Sequence, residues 1–238
     1  SRYAFDRLEM IPSFPIELEK FGMDRINSSF YSFIIDLRKN EETLWKSLKK
    51  KSRWGVNKAK NKRLTIRPLA NVDDWNEFYE IQQRHYREKN YAGAFSKEFV
   101  LSMYHNLLPA KLCILFGCFL DEKIIGACLL RTSNKYAIYY RGVTLKEYRS
   151  YEPMDYLQWK SILWAKENDY LVYDLGGVSP NNEEEHGLWN YKSKWGGVPR
   201  LIPEYSTSLM FRMFSAVNNS SRRLYALKNF VKKNIMTV

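Results

Sequence analysis

Tyr170–Gly197, YLVYDLGGVSPNNEEEHGLWNYKSKWGG, opens as a short apolar strand, Leu171–Val172–Tyr173. A carboxylate, Asp174, ends the strand, and a double glycine, Gly176–Gly177, follows. After an acidic loop come two lysines among aromatics and glycines: Trp189, Tyr191, Lys192, Lys194, Trp195, Gly196 and Gly197. Glycines let the backbone turn sharply or approach a ligand closely, and lysines beside rings offer charge and stacking surface. A strand end opening into such a loop is a common place to build a site.

The flanking sequence supplies the sheet this strand must join. Pro153 suits the first position of a helix running to Asn168. Before it lie three strand-like runs, Lys111–Leu120, Lys123–Leu130 and Tyr136–Val143, the first two joined by a hairpin-type Asp121–Glu122 connection. Leu64–Arg67 reads as a short strand closed by Pro68, Asp73–Lys89 as an amphipathic helix, and Ser96 as the cap of another helix through Asn106. Leu201–Leu209 reads as a last strand. The order from residue 64 is strand, two helices, an antiparallel meander, helix, strand, loop and strand. That is an α/β fold, a mixed sheet flanked by helices.

Further upstream, Phe30–Leu37 reads as a buried strand. Asn40 reads as an N-cap, with Glu41 and Glu42 in the first turn, where carboxylates favour the helix dipole. This helix is expected to run to about Arg63, with Gly55 as the place where it breaks in two. Leu44, Leu48, Val56 and Ala59 share one face. The rest is basic, including Lys46, Lys49, Lys50, Lys51, Arg53, Lys58, Lys60, Lys62 and Arg63. Such density of cations points to a phosphate-tracking surface. Phe211–Val238 reads as a basic C-terminal helix. The expected organisation is 1–37 as the tail of a preceding unit, 38–63 as a basic helical arm, 64–209 as the α/β domain and 210–238 as the basic helix.

Net charge is +12, which favours polyanionic partners: nucleic acid, phosphorylated precursors or an anionic membrane face. Cys113, Cys118 and Cys128 lie in apolar runs, and His85, His105 and His186 are scattered. Neither set has the spacing of a disulfide framework or a zinc site, so no metal is expected and a reduced, cytoplasmic compartment is. No run is apolar enough to span a membrane, and no signal peptide is visible; Ser1 points to a cut or processed start.

Three blocks in order resemble the Fem-type aminoacyltransferases of the GNAT-like superfamily, over about Ile34 to Leu209. Arg53–Ala59, RWGVNKA, is similar to that family's R-x-x-I-R-K-A helix, with Val56 for the Ile and Asn57 for the second Arg. Tyr173–Gly177, YDLGG, is the second block. Gly187–Gly197 resembles G-L-x-x-F-K-x-x-F-G-G, with Tyr191 for Phe, Lys192 kept and Trp195 for the second Phe. The resemblance implies a GNAT-like domain after a helical arm and the tail of a truncated first GNAT-like unit. It implies transfer of an amino acid from aminoacyl-tRNA onto the peptide stem of a peptidoglycan precursor, lipid-linked or UDP-linked, with no cofactor. The alternatives are an acyl-CoA-dependent N-acyltransferase of envelope polysaccharides, or a non-catalytic basic module for nucleic acid or membrane.

Lys192 is implied as the catalytic residue, a cation that stabilises charge developing on the ester carbonyl. Tyr140, Tyr191, Asp174 and Lys194 are implied around the substrates. Asp174 could accept an amine proton, but a turn-forming Asp bonding the backbone before Gly176 is the preferred reading. Lys194 is an anion contact, and Tyr140 is either a precursor contact or a plain strand-end tyrosine. Arg53, Lys58, Lys60 and Lys62 are the candidates for tRNA. Some Fem-type enzymes hold the precursor with an Arg and, four residues on, a Tyr; here Ala94 and Glu98 stand at those positions. CoA-dependent relatives cradle pyrophosphate with a loop like [RQ]-x-x-G-x-[GA] before a helix N-terminus. The corresponding Thr144–Glu152 here, TLKEYRSYE, has no glycine, which favours aminoacyl-tRNA over CoA. The basic tail is read as a peripheral contact with anionic lipid at the inner face of the membrane.

Overall fold

The computed structural model describes residues 8–9, 24–26, 31–90, 93–180, 185–202 and 204–206. The chain forms two compact units, Ser1–Phe30 with Leu201–Val238, and Tyr31–Arg200. In the smaller unit, β1 (Leu8–Glu9) and β2 (Asp24–Ile26) flank a later strand, Glu204–Ser206, both antiparallel to it.

The larger unit is built on a seven-stranded sheet. Its strands are β3 (Tyr31–Asp36), β4 (Thr65–Pro68), β5 (Cys113–Leu120), β6 (Lys123–Ser133), β7 (Tyr136–Thr144), β8 (Val172–Val178) and β9 (Val198–Leu201), in the order β4-β5-β6-β7-β8-β3-β9. The β5–β6 and β6–β7 hairpins turn at Asp121 (φ 53°) and Asn134 (φ 50°), residue types that tolerate the left-handed region. β7 and β8 are parallel, so a crossover must join them. A 3₁₀ turn, Lys146–Tyr151, and a helix, Pro153–Glu167, provide it.

Helices cover both sheet faces. Numbered along the chain, α1 (Glu41–Ser47), α2 (Lys50–Asn61) and the crossover helix α5 (Pro153–Glu167) lie on one side. There Leu44, Val56, Ala59, Leu157 and Ile162 meet Leu130, Ala137, Tyr173 and Leu175. On the other side, α3 (Val72–Glu88) and α4 (Lys97–Ser102) bring Trp75, Phe78 and Val100 against Leu115, Leu129 and Val143. The caps follow the sequence: the side chains of Asn40, Asn71 and Ser96 each accept a backbone N–H of their helix's first turn. The three cysteines are buried free thiols, and burial pushes Cys118 and Cys128 up to about 12.

Several expected boundaries move. Residues 31–63 belong to the larger unit rather than to a separate remnant and arm. The cause is pairing and packing: β3 is hydrogen-bonded to β8, and α2 buries Ser52, Gly55, Val56 and Ala59. The single strand expected over 201–209 is two strands in different sheets, β9 and β10 (Glu204–Ser206). The expected helix 210–238 lies outside the described residues. The helix break falls at Leu48–Lys49, both extended, and not at Gly55.

Gly55 has a different task. A Cβ there would lie 2.3 Å from Asp155 Oδ2 and 3.0 Å from its Cγ. Only hydrogen lets α2 pack this close to α5. Gly55→Ala is expected to lower stability by about 1–3 kcal/mol, the range for forced overpacking, despite alanine's better helix propensity. Denaturant unfolding of the two proteins checks this.

Candidate functional site

The site lies where two strands part. β7 and β8 pair only at Tyr136↔Val172, Ala137↔Tyr173 and Ile138↔Asp174. Beyond that point β8 stays with β3 as far as Val178, and β7 stays with β6 as far as Thr144. The β6–β7 register jumps from Leu130↔Tyr139 to Leu129↔Arg141, so Tyr140 is the extra residue of a bulge. A bulge adds local twist and re-aims side chains, which is why bulges recur beside functional sites.

Lys192 stands at the opening. It sits in the last turn of α6 (His186–Ser193) and is 4 % exposed. Its amine donates to the carbonyls of Gly176 and Gly177, at 2.8 Å each. Successive carbonyls of a regular strand point opposite ways. Here they converge on one nitrogen because Gly176 adopts φ +76°, a conformation that costs glycine nothing. The lysine thus satisfies β8 carbonyls at the point where β7 leaves. Among the described residues its third N–H has no protein acceptor. Burial pulls its pKa down to about 8, against the opposing pull of the Asp174 and Glu185 carboxylates.

Asp174 is fully buried on the same strand. Its Oδ1 accepts the Gly176 N–H at 2.7 Å and the Ser32 hydroxyl from β3, while Oδ2 has no hydrogen-bond partner. Burial raises its pKa, and the Ser32 and Gly176 bonds and the Lys192 charge oppose the rise. Asp174 thus bonds the Gly176 N–H from within β8, not at a turn that ends the strand. Tyr191 points inward, its hydroxyl 3.2 Å from Gln158 Oε1 and its ring edge-on to Trp195 at 6.0 Å. Burial holds its phenol well above the usual range. Tyr140 is 37 % exposed and stacks on Phe95 at 5.6 Å.

Lys194 differs most from its expected role. It caps α6, and its amine is paired with Asp155 at 2.6 and 2.9 Å. Its carbonyl accepts the Lys49 N–H at 2.9 Å and the Ser52 hydroxyl at 3.0 Å. Two residues apart on a helix, Lys192 and Lys194 point to different sides, so one enters the strand opening and the other locks α2, α5 and α6 together. An amine engaged by a carboxylate in this way is a structural partner rather than a free anion contact.

The basic surface also divides. Arg53 donates to the carbonyls of Lys46 and Leu48, closing the end of α1. Lys58 lies 4.5 Å over Trp54 and 4.0 Å from Glu152. Lys60 lies over Trp45 and Lys62 over Tyr151, each at 5.7 Å. Trp54 is 53 % exposed beside these lysines. Trp54, Ser32, Gln158, Asp155, Arg131 and Arg141 are not singled out by the sequence alone. Only Trp54, set among lysines, carried a local signal; the others gain meaning from partners far along the chain. Two clefts lie elsewhere in this unit, of about 450 Å³ beside Trp45, Lys60 and Trp159, and about 210 Å³ beside Ile34, Ser47 and Arg200.

Comparison with known proteins places this geometry. The lipid II:glycine glycyltransferase of Staphylococcus saprophyticus is 28% identical over 108 residues, 44% of this chain and 26% of that protein. The protein of the same name from Staphylococcus epidermidis is 29% identical over 114 residues, 46% of this chain and 27% of that protein. The chain thus spans about a quarter of the length of these relatives. The crystal structure of FemX superposes with a TM-score of 0.72 at 14% identity, over 84% of this chain and 69% of that one. The C-terminal domain of a putative lysylphosphatidylglycerol synthetase from Agrobacterium fabrum gives 0.63 at 14% identity, over 85% and 67%. At such identity these two show a shared fold. The family model described as an acetyltransferase (GNAT) domain matches residues 45–193, more than half of the chain. The chain belongs to this GNAT acetyltransferase-domain family, with the fold of FemX and relatives among the lipid II:glycine glycyltransferases.

Proposed function

We propose that this protein is a Fem-type aminoacyltransferase. It moves an amino acid from aminoacyl-tRNA onto the peptide stem of a peptidoglycan precursor, acting in the cytoplasm at the inner membrane face. The glycyltransferase relatives support an acyl transfer to such a precursor.

One observation carries the choice of donor. Acyl-CoA needs open backbone N–H groups at the N-terminus of the crossover helix for its pyrophosphate. Here that terminus is preceded by the 3₁₀ turn and Glu152, and its first turn holds the buried Asp155. α2 packs against the same turn through Gly55, with the Lys194-paired Asp155 between them, so protein takes the space a pyrophosphate would need. The exposed cations of α2 around Trp54 suit an RNA donor instead, combining phosphate contacts with a ring for stacking.

In this reading, the uncommitted N–H of Lys192 meets the ester carbonyl as the acceptor amine attacks; the amide forms as the ester C–O bond breaks, and the terminal ribose hydroxyl of the tRNA leaves with the proton the amine loses. Charge develops on that oxygen, and a fixed cation in a dry site stabilises it. Lys58, Lys60 and Lys62 track the tRNA backbone, with Arg53 stiffening the helix that carries them. The test is an assay with labelled glycyl-tRNA and lipid II, run beside labelled acetyl-CoA. Labelled lipid II is the expected product. Acetyl transfer in its place would overturn the proposal.

A further inference from the structure

Around the bulge, four side chains form a ladder. Arg131 Cζ lies 5.2 Å from the centre of the Tyr140 ring. Tyr140 stacks on Phe95 with 17° between the planes, and Arg141 Cζ lies 3.9 Å from the Phe95 ring centre. Arg141 also donates to the Gly93 carbonyl at 2.8 Å and to the Tyr86 hydroxyl, while its buried Nε has no partner. A guanidinium stays charged at any physiological pH. Yet among the described residues no carboxylate forms an ion pair with Arg131 or Arg141. Two permanent cations flank two rings, one of them exposed, with no counter-ion among the described residues.

The ladder adjoins the transfer site. Tyr140 directly follows Tyr139, whose carbonyl would lie 3.0 Å from a Cβ on Gly176, and Lys192 Nζ would lie 3.5 Å from the same point. We infer that the ladder is a carboxylate site, which binds the C-terminal carboxylate of the acceptor peptide through the exposed Arg131 guanidinium. Arg141 is a positioning residue that holds Phe95, and through it Tyr140, and adds a second positive charge. The rings favour this over a nucleotide base, because Tyr140 is already engaged by Phe95 and Arg131. The assignment rests on the reading that the acceptor is a stem peptide.

The experiment measures direct binding, so it does not depend on transfer. A stem pentapeptide with a free C-terminal carboxylate is compared with the same peptide as its C-terminal amide. The acid is expected to bind the full chain about tenfold or more tightly, the scale of a charge-assisted hydrogen bond. Arg131→Gln is expected to abolish that preference, leaving amide affinity and melting temperature unchanged. Arg141→Lys, which keeps the charge but loses the planar stack, is expected to reduce the preference with no effect on the amide. Equal binding of acid and amide, no measurable binding of either, or a preference that survives Arg131→Gln would overturn the site. So would an Arg131→Gln variant that loses affinity only for a short single-stranded RNA. If the acid preference and its loss stand while no aminoacyl transfer occurs, the carboxylate site holds and the transfer reading falls.

Discussion

Lys192→Ala is expected to lower the transfer rate by about 10²–10³-fold while the fold survives, since removing one oxyanion donor costs about 3–4 kcal/mol of transition-state stabilisation. The substitution removes two charge-assisted hydrogen bonds to the Gly176 and Gly177 carbonyls, at about 1.5–3 kcal/mol each. It also removes a buried charge whose pKa is depressed from 10.5 to about 8, a net cost to the folded cation of about 3 kcal/mol. The two effects oppose each other, so the melting temperature should move far less than the rate. Single-turnover transfer and a thermal melt on the same preparation check both halves. A variant with full activity would remove Lys192 from the mechanism.

The pH dependence carries the same assignment. As a cation, Lys192 must be protonated to act, so the transfer rate should fall as pH rises through about 8. A rate that rises through that pH would make the neutral amine a general base instead. Stability runs the other way. Between the folded value of about 8 and the ordinary lysine value of 10.5, the unfolded chain binds more protons than the folded one. The Lys192 contribution to stability therefore increases across that window, and the increase should be missing from Lys192→Met.

Lys194→Met is expected to destabilise the protein by about 3–5 kcal/mol, because it strands the Asp155 carboxylate among α2, α5 and α6. For a domain of this size that corresponds to a fall of about 10 °C or more in melting temperature. Burial already raises the Asp155 pKa against the pull of Lys194 and, at longer range, Lys51. Without Lys194 the pKa rises further. The folded protein then holds this proton over a pH range in which the unfolded chain has released it, so stability falls as pH rises. The deficit of Lys194→Met should shrink at mildly acidic pH and largely vanish in the double variant with Asp155→Asn. Melting curves of the four proteins at neutral and acidic pH test this. An unchanged Lys194→Met curve would mean that water, and not the lysine, satisfies Asp155.

Strand and helix positions from residue 64 were legible because local chemistry decides them. Asn71 and Ser96 cap helices, Pro153 opens one, and Asp121 turns a hairpin. The sequence predicts a loop between β8 and the last strand, but His186–Ser193 within it is helical. Its glycine and mixed polarity hide a helix whose one buried polar end, Lys192, is held by β8. Glycine is a poor helix former, so the sequence predicts the break in the basic helix at Gly55. The structure uses that glycine for contact with Asp155 and breaks instead at Leu48–Lys49, where Lys49 and Ser52 bond the Lys194 carbonyl.

The sequence by itself determined the α/β class, the basic surface of residues 46–63 and the motif that marks Lys192. These depend on residue type and spacing within a few turns of chain. Only the tertiary structure decided what each cation does. Lys192 and Lys194 are two residues apart in one motif, yet one fills the gap between two strands and the other neutralises a carboxylate from α5. A side chain's charge is written in the sequence, but its solvation and its counter-ion come from residues brought together by folding. Desolvation and pairing set whether a lysine holds the fold or remains available to a substrate.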